Sequence, residues 1–211
     1  MMWLAHDLLW LDRSLLVAGT EKPGLPDWVT SGNGPVVVRR ELVSIAELVA
    51  VGVRGANKSE RCAAYAPLSA VQSSLTPYEI TRAQAWLDHQ DRFKAPVLQA
   101  LEIVAQMLNG HNLEWGITGS LGYELATGDK QIHAKSDLDL VIKAPKPLSK
   151  SFARELLKEL GELPCRLDIQ IETMTGAMAL LEWAGESSTV LIKTEKGPFL
   201  VANPWEGGMQ L

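Results

Sequence analysis

The 211-residue chain is short of basic residues, of cysteine and of long apolar runs. Lys and Arg number 20 against 25 Asp and Glu, a formal charge of −5, which excludes a protein that holds nucleic acid on a broad basic surface. A small polyanion stays open as a ligand, provided the positive charge is concentrated in one place. Only two cysteines are present, Cys62 and Cys165, far apart and without partners at metal-ligand spacing. That suits two reduced thiols better than a disulfide framework or a zinc site. No apolar run is long enough to span a bilayer, and Met1 to Leu11 is interrupted by His6 and Asp7 and lacks a basic start. The expectation is a cytoplasmic protein with neither a membrane nor a nucleic-acid partner. The 17 Gly and 11 Pro are scattered without a period, and no internal repeat is visible, which excludes a collagen-like or low-complexity chain.

What is present divides into two halves. Residues 1–78 read as short strands and turns: Pro23 to Pro35 is rich in Gly and Pro, then Val36 to Arg39 and Leu48 to Val53 form β-branched runs. Five cations, Arg39, Arg40, Arg54, Lys58 and Arg61, fall in this stretch. Residues 79–211 begin with helical segments. Thr76-Pro77 with Glu79 reads as a helix start continuing to about Gln90, and Pro96 opens a helix with Val97, Leu101, Val104 and Leu108 on one face, ending at Asn109-Gly110. Beyond it, strands and helices alternate. Strands are expected at Glu114 to Thr118, Ser136 to Ile142 and Arg166 to Glu172, with helices at Ser120 to Ala126, Ser151 to Leu160 and Met174 to Trp183. A hairpin around Lys196-Gly197-Pro198 closes the chain. The fold class expected is α+β with α/β-like alternation: an N-terminal β-rich domain and a C-terminal mixed sheet flanked by helices.

The stretch that carries chemistry is Gly116-Ile117-Thr118-Gly119-Ser120, then Ser136-Asp137-Leu138-Asp139-Leu140, then Arg166-Leu167-Asp168-Ile169. Asp137 and Asp139, two apart on a strand, project from one face. Two carboxylates this close repel unless a cation lies between them, and oxygen-only ligation suits Mg²⁺ or Mn²⁺. Asp168, on a later strand, is a third candidate ligand or a general base. Gly119-Ser120 marks a strand-to-helix turn, where backbone N–H groups and a hydroxyl approach a phosphate. These are the parts of a phosphoryl or nucleotidyl transfer site. Taken singly, each has a plainer reading: Asp168 paired with Arg166, and Arg54, Lys58 and Arg61 as a solvated basic face.

Gly-Ser on a strand-to-helix turn, Asp-x-Asp on a strand and a later Asp, in that order, resemble the nucleotidyltransferase superfamily with its β-polymerase-like palm. The wider wording is more specific. His6-Asp7-Leu8-Leu9-Trp10-Leu11, Val53-Arg54-Gly55 followed by Lys58 and Arg61, and Thr118 to Gly128 ahead of Ser136 to Leu140 resemble the holo-acyl-carrier-protein synthases of malonate decarboxylase, the phosphoribosyl-dephospho-CoA transferase family. The resemblance spans nearly the whole chain. It implies triphosphoribosyl-dephospho-CoA as substrate, a serine of the decarboxylase's acyl-carrier subunit as acceptor, and pyrophosphate as product. It also implies Asp137 and Asp139 as catalytic and metal-holding residues, with Asp168 a further ligand or base. Gly119, Ser120, Arg39, Arg54, Lys58 and Arg61 are then expected to bind substrate phosphates. Lys58 stands where arginine is expected in many relatives and lacks bidentate geometry. Two other functions fit the motifs: nucleotidyl transfer to a different hydroxyl, and a non-catalytic module that binds a nucleotide or the carrier.

Overall fold

The computed structural model describes residues 3–19, 24–55 and 60–206. The chain falls into two compact units, Met1–Thr76 and Pro77–Leu211. Both helices and sheets are present, and one of the two sheets is mixed, the α+β architecture expected from the sequence.

In the first unit the described strands are β1 (Leu8–Leu11), β2 (Val36–Val38), β3 (Leu48–Arg54), β4 (Arg61–Pro67) and β5 (Val71–Leu75), with a one-turn helix α1 (Asp27–Thr30) before β2. They form one antiparallel sheet in the order β4-β3-β2-β1-β5. Val36 and Val38 of β2, Val51 and Val53 of β3, and Cys62, Ala64 and Ala66 of β4 turn to a buried core that also holds Leu9, Leu16 and Val29. Alternation along β3 and β4 places the intervening residues on the other face. Strands β1, β4 and β5 were not anticipated. Ala63, Ala64 and Ala66 in β4, and Gln72, Ser73 and Ser74 in β5, are weak β-formers that become strands through the neighbours they pair with. Arg13 is buried and donates to the Gly34 carbonyl at 3.1 Å and the Pro35 carbonyl at 3.3 Å, which ties down the Gly/Pro-rich loop.

The second unit contains helices α2 (Pro77–Ala83), α3 (Pro96–Gly110), α4 (Gly119–Thr127), α5 (Lys150–Leu160) and α6 (Leu180–Trp183). Its described strands are β6 (Trp115–Ile117), β7 (Leu138–Lys143), β8 (Leu167–Glu172), β9 (Ala177–Ala179), β10 (Val190–Thr194) and β11 (Gly197–Val201), in the order β11-β10-β9-β8-β7-β6. Only β7 and β8 are parallel, joined through α5; the other neighbours are antiparallel. The stripe of α3 is core as read, with Val97, Leu101, Val104 and Leu108 fully buried. The residue that turns left-handed after that helix is Asn112 (φ 54°), two beyond Gly110.

Two elements depart from expectation. Helix α2 stops at Ala83 because Gln84 adopts φ 52°, and a 3-10 turn over Ala85–Asp88 follows. Met174 to Trp183 is not one helix. Thr173 N–H donates to the Gly176 carbonyl at 2.8 Å in a tight turn, Ala177–Ala179 is a strand, and only Leu180–Trp183 is helical. A side chain at Gly176 would collide with the backbone of Lys193, so glycine there lets the strands close. Ala and Met are good helix formers, and a three-residue strand is too short to show its period.

Strand β6 is the sheet edge, and α2 seals it. A Cβ on Gly116 would fall 2.6 Å from Pro77 Cβ, so only glycine allows this approach. The Ile117 N–H donates to Thr81 Oγ1 at 3.0 Å, and that hydroxyl donates to the Pro77 carbonyl at 3.1 Å. Replacing Thr81 by the isosteric Val leaves the buried Ile117 N–H without its acceptor. The expected loss is about 1–3 kcal/mol, read by urea unfolding, with most of it recovered in Thr81→Ser.

Candidate active site

The site is built where β6 turns into α4. Thr118 is extended (φ −123°), and its N–H donates to the Asp139 carbonyl at 2.9 Å, extending the β6–β7 pairing by one bond. Gly119 then takes φ +66°, a left-handed conformation. A Cβ there would lie 2.7 Å from Asp139 Cγ and 2.8 Å from Asp139 Cβ. Glycine is thus required twice, for its dihedral and for the carboxylate packed against it. The same residue opens α4, whose first N–H groups lack intrahelical acceptors and carry the positive end of the helix dipole. Ser120 is half-buried in this first turn. Gly122 brings α4 close to β6, since a Cβ on it would fall 2.6 Å from the Ile117 carbonyl oxygen.

The parallel register sets Asp139 directly beside Asp168. Neighbouring strands lie about 4.8 Å apart, so these two half-buried carboxylates share one face at one level. Asp137 is exposed and lies one residue before β7, where the Leu138 N–H donates to the Arg166 carbonyl at 2.8 Å. Among the described residues no ion pair joins Asp168 to Arg166.

Cys165 adjoins this acidic group. Partial burial raises its thiol pKa above the usual value, the Leu138 N–H pulls it down, and the charges of Asp137 and Asp139 push it further up. The thiol is therefore protonated at neutral pH and leaves the donor set as carboxylate oxygen. Such oxygens are the donors that Mg²⁺ or Mn²⁺ prefers, with water and substrate oxygens completing the shell. The residues fit such an ion in donor type, although among the described residues no three His, Cys, Asp or Glu side chains already converge as a ligand cluster.

In the first unit, Arg54 and Arg61 are direct cross-strand partners at the end of the β3–β4 pair. Gly52, two residues before Arg54, shares their face, and the Arg39 stem lies over it, 3.7 Å from where its Cβ would be. Arg39, Arg54 and Arg61 therefore belong to the sheet face opposite the core, with Arg39 also paired to Glu41 at 2.7 Å. Lys58 lies outside the described residues.

Sequence reasoning passed over Glu124 and His89. Glu124, on α4, is buried and accepts from two backbone N–H groups of the segment leading to Asp137. His89 Nε2 lies 2.9 Å from its other oxygen. Both residues were visible, but the bonds joining positions 35 and 7–8 apart were not.

Comparison with known proteins gives a consistent result. Residues 4–77 match the family model of the phosphoribosyl-dephospho-CoA transferase MdcG N-terminal domain, and residues 82–204 match that of its C-terminal domain. The chain is 44% identical over 204 residues to the phosphoribosyl-dephospho-CoA transferase of Pseudomonas putida (strain GB-1), covering 95% of this chain and 94% of that one. It is 38% identical to the enzyme of the same name from Klebsiella pneumoniae (strain 342), covering 95% of each chain. A third relative of that name, from Azotobacter vinelandii, is 38% identical over 95% of this chain and 93% of its own. No solved structure matches. No helix among the described residues is long and apolar enough to cross a membrane.

Gly119→Ala tests the turn. The strained left-handed residue costs about 1–2 kcal/mol, and the added methyl displaces the Asp139 carboxylate. A stability loss of at least that size by thermal unfolding is expected, together with loss of catalytic activity. Cys165 reports the local field. Replacing Asp137 and Asp139 together by Asn removes two charges that disfavour the thiolate, lowering the Cys165 pKa. Its alkylation at fixed pH 8, followed site by site by mass spectrometry, should therefore speed up, whereas core-buried Cys62 should not respond.

Proposed function

Because the chain belongs to the phosphoribosyl-dephospho-CoA transferase family, we propose that it moves the 2′-(5-phosphoribosyl)-3′-dephospho-CoA group from triphosphoribosyl-dephospho-CoA to a serine of the apo acyl-carrier subunit of malonate decarboxylase. The observation that most supports this reading is the Gly119 turn packed on Asp139, with Asp168 beside it in register. A phosphate-approaching helix start and an acidic pair thereby share one locus.

The reaction is an in-line displacement. The carrier serine oxygen forms a bond to the α-phosphorus of the substrate's triphosphate, the bond from that phosphorus to the β-phosphate bridging oxygen breaks, and pyrophosphate leaves. The N–H groups that open α4 and the Ser120 hydroxyl bind phosphate oxygens and orient them. A carboxylate takes the serine proton, a role assigned here to Asp168 unless it serves as a ligand instead. Asp137 and Asp139, with or without Asp168, would hold Mg²⁺ or Mn²⁺, which supplies charge neutralisation at the phosphates and at the reacting hydroxyl. Arg39, Arg54, Lys58 and Arg61 are proposed to bind substrate phosphates from the first unit, where the first, second and fourth share a sheet face.

The test uses the full chain, Mg²⁺, triphosphoribosyl-dephospho-CoA and apo carrier subunit. The expected result is a mass increase of the carrier at one serine and stoichiometric pyrophosphate. Asp137→Ala and Asp139→Ala should abolish transfer while folding normally, and Asp168→Asn should lower kcat by about 10²–10⁴-fold if it is the base. Arg54→Ala and Arg61→Ala should each raise KM for the CoA derivative by about tenfold, the size of one lost charge-assisted hydrogen bond. Full activity in both Asp137→Ala and Asp139→Ala would falsify the site. Consumption of ATP with no response to the CoA derivative would instead indicate nucleotidyl transfer to another hydroxyl.

A further inference from the structure

Between the end of α4 at Thr127 and the start of β7 at Leu138 the chain has no regular secondary structure, yet it must deliver Asp137 to the site. Backbone groups here have no ladder to join, so side chains must satisfy those that are buried. Glu124 does most of this. Its Oε2 accepts from the Gln131 and Ile132 N–H groups, both at 2.6 Å, and it is only 6% exposed. Its Oε1 is 2.9 Å from His89 Nε2. His89 Nδ1 accepts from the Asp91 N–H at 3.1 Å, so the neutral ring carries its proton on Nε2 and donates it to Glu124. Three donors converge on one buried, acceptor-only carboxylate. Glutamine offers a single acceptor oxygen, and an apolar residue offers none.

Downstream, the segment is folded on itself. The His133 N–H donates to Ser136 Oγ, and the Ser136 N–H donates to the His133 carbonyl, both at 3.0 Å. Ser136 and Ile132 are buried. The chain is thus pinned at Gln131 and Ile132, closed at His133 to Ser136, and pinned again where Leu138 enters β7. Asp137, exposed, is held between these fixed points.

We propose that Glu124 is a positioning residue for the transfer reaction: the helix whose first residue makes the Gly119 turn uses its second turn to hold the strandless segment that places Asp137. This rests on the reading of Asp137 given above. His89 supports Glu124 through its other oxygen, Oε1.

The test compares Glu124→Ala, Glu124→Gln, Gln131→Pro and Asp137→Ala in the transfer assay, with residue-resolved amide exchange on each full-length variant. In Glu124→Ala, kcat should fall by about 100-fold, the cost attached to a misplacement of about 1 Å, while KM for the CoA derivative changes little. Exchange at Gln131 and Ile132 should accelerate while the β7 and β8 amides stay protected. Glu124→Gln keeps one oxygen for the two N–H groups and should recover most of kcat. If Glu124→Ala does not fold, Gln131→Pro carries the test. It removes one of the two loop donors at an exposed position without touching the buried carboxylate, and a lowered kcat at unchanged KM is again expected.

Wild-type kcat in Glu124→Ala with accelerated exchange at Gln131 and Ile132, or in Gln131→Pro where that variant stands in, overturns the proposal, as does a rise in KM at unchanged kcat. Retained transfer in Asp137→Ala overturns the reading beneath it. Loss in Asp137→Ala alone, with both segment variants fully active, overturns the positioning role and leaves that reading intact.

Discussion

The candidate site in the second unit is organised around the contact between Gly119 and Asp139. One residue ends a strand, starts a helix and accepts a carboxylate where a Cβ would otherwise be. The Thr118 N–H bond to the Asp139 carbonyl locks backbone to backbone at the same point. Because β7 and β8 are parallel and in register, fixing Asp139 also fixes Asp168. A shift of the β6–β7 pairing by one residue would take Asp139 out of its contact with Gly119. The edge strand is protected from such a slip by α2, which covers Gly116 and bonds Ile117 through Thr81.

Acidic residues serve opposite purposes within this one unit. Asp137, Asp139 and Asp168 are exposed or half-buried, Asp139 and Asp168 are register partners, and Asp137 and Asp139 sit beside a thiol whose proton they help to retain. Glu124 is buried and surrounded by donors, so its charge is compensated inside the protein. Glu172 is another of this kind, accepting from the Tyr78 hydroxyl at 2.8 Å. The distinction lies in the surroundings: Glu124 and Glu172 are buried with donors facing them, whereas Asp137 is exposed and Asp139 and Asp168 are half-buried.

The first unit shows how a chain of net charge −5 presents positive charge locally. Antiparallel pairing of Arg54 with Arg61, and the Arg39 stem lying over Gly52, gather on one sheet face arginines that are up to 22 residues apart in the chain. Small residues between them, Gly52 and Ala63, leave that face shallow. The opposite face is aliphatic and buries the core, so the two faces are divided by the alternation of β3 and β4.

Much was legible from local sequence. The apolar stripe of α3, the Gly119-Ser120 turn, Asp137-Leu138-Asp139 and Asp168 could be read because each depends on spacing within a few residues or on a residue type with a specific backbone use. Family membership was legible too, since whole stretches of wording carried it. Strands β1, β4 and β5, the break of α2 at Gln84 and the strand at Ala177 were not legible, because those segments take their conformation from partners and turns more than from propensity. The sequence by itself determined which carboxylates and which glycine were candidates. Only the tertiary structure decided that Asp139 stands level with Asp168, that Gly119 packs against Asp139, and that Glu124 holds the segment before Asp137. The reason is physical: strand register and side-chain hydrogen bonds over long separations are set by packing, and packing is a property of the assembled chain.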